Sequence, residues 1–205
     1  MAAIRAHVGE DVSLRRIAGL CHWNPEGLPP GMEPGLGVTA YYAAPELAPP
    51  DDDDRVSSSG QHAIVVDVAV VEVERETGQV RVLDYVTVHD AGRLLNPLIV
   101  DGQITGGFAH GAGAALFERI VYDELGTLLT GTFMDYLVPS APDVPAIRIA
   151  HRETPSPYGL GAKGLGEGNT MSAPAAIANA VADAVGIDEL ELPLTPPRVW
   201  EAMRA

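Results

Sequence analysis

Residues 62–90 read HAIVVDVAVVEVERETGQVRVLDYVTVHD. Two runs rich in β-branched side chains, Ile64–Val73 and Val80–Val88, flank the turn sequence Glu-Thr-Gly-Gln. Such runs, separated by a short turn that contains glycine, are the sequence signal of an antiparallel hairpin, because β-branched side chains favour an extended backbone. We therefore predict a β-hairpin against which the following segments must pack.

The segment after the hairpin, residues 89–118, is rich in glycine: HDAGRLLNPLIVDGQITGGFAHGAGAALFE. Gly92 and Asn96-Pro97 supply turn chemistry. Apolar side chains then recur with helical spacing, which predicts a helix from about Ile99 to Glu118. Each internal glycine destabilises a helix by about 1 kcal/mol relative to alanine. Close approach of another backbone or of a ligand would explain why so many are present.

Further strands and helices are predicted downstream, without a regular alternation of the two. Residues 118–137 have the pattern of strand, turn and strand, and residues 144–153 that of another strand. Mixed elements of this kind indicate an α+β fold with two or three packed helices. We interpret residues 1–205 as a single domain.

The remaining helices are predicted from their capping residues. Ser172 is the predicted N-cap of a helix that has Pro174 in its first turn and Gly186 at its end. A last helix follows Thr195, whose hydroxyl can cap it. A short helix is also indicated at 11–21, where apolar side chains have helical spacing.

Composition and charge exclude several classes of partner. The chain has 28 acidic and 13 basic residues, a formal net charge of -15. Such a surface repels nucleic acid and anionic membranes. Cys21 is the one cysteine, so the chain alone builds no disulfide, thiolate zinc site or iron–sulfur cluster. No apolar run approaches the roughly 20 residues that span a bilayer, and we expect a soluble, cytoplasmic protein without membrane insertion.

Residues 44–60 read APELAPPDDDDRVSSSG, which combines prolines, consecutive aspartates and serines. This composition predicts an exposed acidic loop. Calcium binding is the alternative function for such a run, but the fixed glycine and distal glutamate of a calcium loop are missing. We therefore interpret the segment as a solvated loop.

Residues 159–169 read GLGAKGLGEGN, with glycines around Lys163 and Glu167. The first six letters satisfy G-x-G-x-x-G, but no strand precedes them and the next helix starts too late for a dinucleotide-binding fold. The P-loop pattern fails because glycine follows Lys163. Glycine N–H groups could still approach a phosphate or a ring system, beside one cation and one unshielded carboxylate. A glycine-rich turn with a solvated glutamate is the alternative that spacing leaves open.

Taken together, these segments resemble the C-terminal part of the large, molybdenum-binding subunit of the xanthine dehydrogenase, aldehyde oxidase and carbon monoxide dehydrogenase family. The resemblance begins with the hairpin, its D-x-G-x-x-x-N-P turn and the G-Q-x-x-G-G start of the glycine-rich helix. It continues through GTFMDYLVPSAPDVP, TPSPYGLGAKGLGEGNTMSAPAAIANAVADAVG and ELPLTPPRVWEAM. This ordered series covers nearly the whole chain from about Ser13.

The resemblance implies an oxidoreductase that hydroxylates an aldehyde, an N-heterocycle or a similar carbon centre with a hydroxide bound to molybdenum. In this family a pterin dithiolene holds the metal, so no protein ligand to it is expected. Glu167 matches the general base, and burial beside an apolar substrate would raise the pKa of such a carboxylate. The residues that match the cofactor site are Gly161, Ala162, Lys163, Gly164, Leu165 and Gly166 of the loop, with Gln103, Gly107 and His110 of the glycine-rich helix.

The helix departs from the family pattern V-Q-G-x-G-Q, since His110 and Ala114 stand where glutamines are expected. His110 could donate a hydrogen bond to the cofactor, with packing as its alternative role. Asp90 and Asn96 are interpreted as residues that bind backbone groups of the turn, and His89 and Arg93 are also assigned no catalytic role. Three large apolar side chains are assigned to packing: Met134, Met171 and Trp200.

A complete large subunit of this family is several times longer, so the resemblance implies partners. These are a second molybdenum-binding chain that supplies the rest of the site, an iron–sulfur subunit and, in some arrangements, a flavin subunit. The implied cofactor is the molybdenum-pterin cofactor in its cytosine dinucleotide form, with iron–sulfur clusters and FAD on partner subunits. The alternatives are a non-catalytic assembly or cofactor-handling module, an inactive fragment of such a subunit, and an unrelated nucleotide-binding enzyme.

Overall fold

In the computed structural model the hairpin forms as predicted. Strand β1 (Ile64–Val73) pairs antiparallel with strand β2 (Val80–Asp90), which runs two residues beyond its predicted end. Asp67 lies opposite Thr87 in this register. Because side chains alternate between the two faces of a strand, the register decides which polar groups share the inner face of the sheet.

The structure describes residues 49–56 and 61–205, which fall within one compact unit, Ala48–Ala205. The predicted helix at 11–21 lies outside the described residues, and Cys21 with it. The part of the predicted acidic loop that is described, 49–56, is exposed. No helix among the described residues is long and apolar enough to cross a membrane.

A third strand, β3 (Ile147–His151), lies parallel to β2 and completes a sheet in the order β1-β2-β3. It falls inside the segment 144–153 that the sequence predicts as a strand, and a 3-10 turn at Ala141–Asp143 precedes it. Parallel neighbours need a long crossover connection. The glycine-rich segment and the residues after it supply that connection.

Helix α1 (Pro97–Leu116) begins and ends two residues before its predicted bounds. The side chain of Asn96 caps it, because its Oδ1 accepts a hydrogen bond from the N–H of Ile99 at 3.3 Å. Pro97 follows at the first helical position, where a missing N–H removes no helical hydrogen bond. The predicted role of Asn96 in the turn is confirmed.

Helix α2 (Gly168–Val185) begins four residues before the predicted N-cap. Ser172 lies inside the helix, where its hydroxyl donates to the carbonyl oxygen of Gly168 at 3.0 Å. The prediction of Ser172 as N-cap is therefore wrong. Glycine and asparagine are poor helix formers, so propensity gave no sign of this first turn, which contacts with the sheet hold in place. Gly186, with φ of +75°, ends the helix as predicted.

Two further predictions fail on the C-terminal side of the hairpin. Helix α3 (Pro196–Ala202) follows Thr195, but the Thr195 hydroxyl makes no capping hydrogen bond. Residues 118–137 form no regular strand; one isolated bridge joins Tyr122 to Leu128. Most of their apolar side chains are exposed, with Leu125 at 92%, and no described strand lies beside them to complete a ladder.

Helices α1 and α2 pack on each other and on the inner face of the hairpin. The rings of Tyr85 and Phe108 meet at 4.4 Å between centroids. Burial of each large apolar side chain contributes about 1.5–3 kcal/mol relative to exposure. The core consists of Tyr85, Phe108, Ala112, Ala115, Leu116, Ala173, Ile177, Val181, Leu194 and Val199.

Close packing between the helices accounts for two of the α1 glycines. A Cβ on Gly107 would lie 3.3 Å from the Cβ of Asn169. A Cβ on Gly111 would lie 2.9 Å from both the carbonyl oxygen of Asn169 and the Cδ of Pro174. By contrast, a Cβ on Gly102 would meet nothing within 4 Å. The glycines on this side of α1 therefore bring the start of α2 close to α1.

We expect Gly111→Ala to lower the free energy of unfolding by roughly 1–2 kcal/mol, because the added methyl group would push against backbone and a proline ring. The matched control is Gly102→Ala, which adds the same methyl group in open space and should stabilise the helix by up to about 1 kcal/mol. Urea unfolding of the two variants measures both changes. A Gly111→Ala variant as stable as Gly102→Ala would contradict the close helix contact.

Candidate functional site

The glycine-rich loop is joined to the end of the hairpin. Gly92 and Ala162 form an antiparallel bridge, beside which the N–H of Lys163 donates to the carbonyl oxygen of Ala91 at 2.8 Å. Gly92 has φ of +63°, and a Cβ there would lie 2.4 Å from the carbonyl oxygen of Gly161. Only glycine fits that backbone and that gap. The bridge holds the loop against the turn that the D-x-G pattern indicated.

The side chain of Lys163 locks the same junction. Its Nζ lies 2.8 Å from Asp90 Oδ2 and 2.6 Å from Thr154 Oγ1. The Lys163 and Asp90 side chains are only 12% and 9% exposed. Hydrogen bonds from Lys163 and then from Thr154 hold the pKa of the Asp90 carboxyl well below its usual range. The ammonium group that the sequence placed beside a ligand is thus neutralised within the chain.

Asp90 also binds the backbone of the turn, as the sequence predicted. Its Oδ1 accepts from the N–H of Gly92 at 3.0 Å and from the N–H of Thr154 at 3.1 Å. The hydroxyl of Thr154 donates to the other carboxylate oxygen. Asp90 is therefore saturated with donors and is not available as an acid or base.

A cleft of about 550 Å³ opens beside the last part of the loop, between the hairpin and the start of α2. Glu167 lines it together with Gly164, Gly166 and Met171. Glu167 is exposed. The burial expected around its carboxylate is not provided by the described residues.

The loop presents backbone donors to this cleft. The N–H groups of residues 164–167 make no hydrogen bond to any residue that the structure describes. Gly164 is exposed, and a Cβ on it would meet nothing within 4 Å. Successive free N–H groups on a glycine-rich turn suit carbonyl, phosphate or ring-nitrogen acceptors. A pterin cofactor with a phosphate tail carries all three, so the residues present fit that group.

A buried polar network lies under the start of α2. Asn169, 2% exposed, follows Glu167 by two residues. Its Oδ1 lies 2.6 Å from His89 Nε2, and its Nδ2 donates to Asp67 and to the Thr87 hydroxyl, each at 3.2 Å. Burial lowers the pKa of His89 from its ordinary value. These side chains connect both strands of the hairpin to the first turn of the helix.

The candidate residues of α1 divide between its two sides. Gln103 is exposed, and its Nε2 would lie 3.6 Å from a Cβ on Gly166, so the structure brings it to the loop. His110 and Ala114 are exposed on the same helix. Gly107 is buried against α2 instead, which gives it a packing role in the described structure.

Sequence reasoning missed three residues near the cleft. Met171, assigned to packing, is 75% exposed beside Glu167. No signal in the sequence indicated this position, because the helix was predicted to begin only at Ser172, after Met171. His89 and Asn169 were given no site role. Their contact spans 80 residues of sequence, and no local pattern indicates such a pair.

Comparison with known proteins fits this geometry. The family model of the molybdopterin cofactor-binding domain matches residues 2–145. The chain is 40% identical over 197 residues to the nicotine 6-hydroxylase large subunit of Paenarthrobacter nicotinovorans, covering 94% of this chain and 22% of that protein. It is 33% identical over 201 residues to the carbon monoxide dehydrogenase large chain of Hydrogenophaga pseudoflava, covering 96% of this chain and 23% of that one.

Solved structures agree with these relatives. Reconstituted carbon monoxide dehydrogenase from Oligotropha carboxidovorans matches with a TM-score of 0.70 and 26% identity, over 94% of this chain and 22% of that one. The chain thus spans about a fifth of the length of the proteins that it matches. The mixed three-stranded sheet with its packed helices is the α+β fold that was predicted. The chain belongs to the molybdopterin cofactor-binding domain family and corresponds to a part of the large subunit of molybdenum hydroxylases of the xanthine dehydrogenase, aldehyde oxidase and carbon monoxide dehydrogenase type.

Proposed function

We propose that this chain provides the general base and part of the cofactor cradle of a molybdenum hydroxylase. The observation that carries the proposal is the position of Glu167, exposed at the edge of a cleft and next to a row of backbone N–H groups without a partner among the described residues. A general base must be accessible to the proton that it accepts. The junction between Lys163 and Asp90 keeps the adjoining loop in one conformation, which supports accurate placement of that base.

In the proposed mechanism, the residues of this chain bind, orient and accept a proton. The N–H groups of residues 164–167 donate to acceptors on the cofactor, and Gln103 adds a side-chain amide at the same place. When bound, the cofactor supplies the redox centre and the oxygen that enters the product. Glu167, at the edge of the cleft, would accept a proton on its carboxylate during that reaction. Met171 offers an apolar surface beside the carboxylate, where water would compete with substrate.

We further propose an aldehyde, an N-heterocycle or a similar electrophilic carbon centre as substrate. The names of two relatives, nicotine 6-hydroxylase and carbon monoxide dehydrogenase, support an oxidoreductase of this class. The cytosine dinucleotide form of the cofactor, an iron–sulfur subunit, a flavin subunit and a cytoplasmic location remain proposals. These four proposals assume that the whole complex resembles the family as this chain does.

Activity is proposed to require the rest of the large subunit. The outer face of β1 carries alternating apolar side chains, of which Ile64, Val66 and Val68 are 59%, 58% and 56% exposed. Sheets with one face in solvent normally carry polar residues there. Contiguous exposed apolar surface marks an interaction site. Since relatives are about four to five times longer, as their 22–23% coverage implies, we propose that the missing part of the large subunit covers this outer face.

We expect Val68→Lys to leave the chain folded, because Val68 is exposed, but to reduce recovery of the partner chain by about tenfold or more, as for a charge placed at the centre of an interface. Thr77→Lys is the matched control, since it adds the same charge in the exposed turn of the same hairpin. Co-purification through a tag on this chain measures the loss. Equal partner recovery with both variants would show that the outer face is not the interface.

The experiment that tests the proposed function is expression of this chain with the proteins encoded beside it. After purification through a tag on this chain, molybdenum and released nucleotide are measured per complex, followed by a panel of aldehydes and N-heterocycles. Stoichiometric molybdenum together with hydroxylation of a member of the panel is expected. A metal-free chain without partners, despite a supply of cofactor, would contradict the proposal.

A further inference from the structure

The first turn of α2 is held in an unusual way. Glu167 occupies the N-cap position, where serine, threonine, aspartate and asparagine are preferred because their short side chains bind the free N–H groups. The Glu167 side chain makes no such hydrogen bond. Its carboxylate is therefore free to face the cleft, and something else must hold the start of the helix.

Asn169 provides that hold. The side chain points into the sheet, and both ends of its amide are engaged. Its Nδ2 is the donor to the Asp67 carboxylate, which can only accept when ionised. The opposite end, Oδ1, must then accept, so the proton on His89 resides on Nε2. The 2.6 Å contact is thus a hydrogen bond donated by His89 to Asn169.

His89 also touches the residue between Glu167 and Asn169. A Cβ on Gly168 would lie 3.1 Å from the Cε1 of His89 and 3.1 Å from the Cγ2 of Val65. The imidazole ring therefore lies so close to the backbone at Gly168 that little room is left for a side chain between them. His89 is 2% exposed, so the ring itself is fixed by its surroundings.

We propose that Asn169 and His89 are positioning residues for Glu167. The imidazole, hydrogen-bonded to Asn169, supports the two backbone units that follow Glu167 and so directs its carboxylate into the cleft. This inference rests on the proposed role of Glu167 as general base. A buried polar pair in contact with consecutive residues after a base matches the support that an accurately placed catalytic group requires.

The first test does not depend on activity. Long-range ¹H–¹⁵N spectra of the full chain report which ring nitrogen of His89 carries the proton. At pH 7 we expect the neutral Nε2–H form in the wild type and a mixture of tautomers in Asn169→Ala. The exposed residue Asn179 lies on the same helix, and Asn179→Ala should leave the His89 signals unchanged. An Nδ1–H tautomer or a charged ring in the wild type would overturn the proposed hydrogen bond.

The second test separates positioning from simple packing in the assembled complex. Asn169→Ala and His89→Leu should each lower kcat by roughly 10- to 100-fold, as expected when a catalytic group is misplaced by about 1 Å, with KM and molybdenum content near wild type. His89→Gln should recover much of the loss, since its amide can donate from near the position of Nε2. Equal kcat for His89→Leu and His89→Gln would overturn the proposal. This comparison remains decisive even if Asn169→Ala fails to assemble.

The two hypotheses fail in different ways. Retained activity in Glu167→Gln would refute the general base and leave the tautomer result intact. Loss of activity in Glu167→Gln, combined with wild-type kcat in Asn169→Ala, would refute positioning alone. If the Asn169 and His89 variants lost molybdenum and showed a raised KM together with a lowered kcat, the pair would have a purely structural role. That result would overturn the positioning proposal.

Discussion

Glu167→Gln in the assembled complex is expected to lower kcat by roughly 10²–10⁴-fold, the usual contribution of a positioned general base. Glutamine keeps the length and the planar end of the side chain but cannot accept the proton. The substitution leaves the neighbouring N–H groups and the junction of the loop with the hairpin untouched. Molybdenum content and the melting temperature should therefore stay near wild type. Steady-state kinetics measures kcat, a metal assay measures molybdenum, and thermal unfolding measures the melting temperature.

The control for this variant is Glu201→Gln, which makes the same change at an exposed position in α3. It should have wild-type kcat. Retained activity in Glu167→Gln would exclude Glu167 as the base. Loss of molybdenum in Glu167→Gln would instead assign the carboxylate to holding the cofactor, which would favour a cofactor-handling module over a catalytic subunit.

The parts of the fold that could be predicted are those with local causes. The hairpin follows from β-branched runs and a turn within 27 consecutive residues, 64–90. The capping of α1 by Asn96 likewise depends on neighbours in sequence. Residues 118–137 have strand-like composition, but a strand also needs a partner to bind its backbone groups. No property of that segment reveals whether a partner exists.

The site shows the same division between local and distant causes. Glycines around Glu167 single it out because a carboxylate without shielding neighbours can face a cavity. The partner of Lys163 could not be found in this way, since Asp90 lies 73 residues earlier. Lysine beside glycines resembles a phosphate ligand in sequence, and the fold also pairs its charge with Asp90 at the junction. Contacts between distant segments thus decide which candidate side chains remain free.

The ion pair between Lys163 and Asp90 is nearly buried, so loss of one partner should destabilise the fold strongly. Lys163→Met should lower the free energy of unfolding by roughly 3 kcal/mol at pH 7, the lower end of the range for removal of one partner from a buried ion pair. The lower end applies because the Lys163 and Asp90 side chains are still 12% and 9% exposed to solvent. Methionine preserves most of the volume, so the loss reports an unpaired Asp90 carboxylate. Urea unfolding of the purified chain measures it.

The pH dependence identifies the cause of that loss. Asp90 has its pKa lowered from 3.8 in the folded chain, so its contribution to stability is present above about pH 4 and disappears as acid protonates it. In Lys163→Met the partner is gone and burial favours the protonated carboxyl. The stability difference between wild type and variant should therefore be largest at neutral pH and shrink as the pH falls and the Asp90 carboxylate of the variant takes up a proton.

A double variant tests whether the unpaired Asp90 charge causes the loss of stability. Asp90→Asn with Lys163→Met removes both charges, and an amide can still accept from the N–H groups of Gly92 and Thr154. Because no unpaired charge remains, the double variant should be more stable at pH 7 than Lys163→Met alone. If Lys163→Met were as stable as the wild type at pH 7, the ion pair would contribute nothing. The lysine would then be free to serve the ligand that the sequence first suggested.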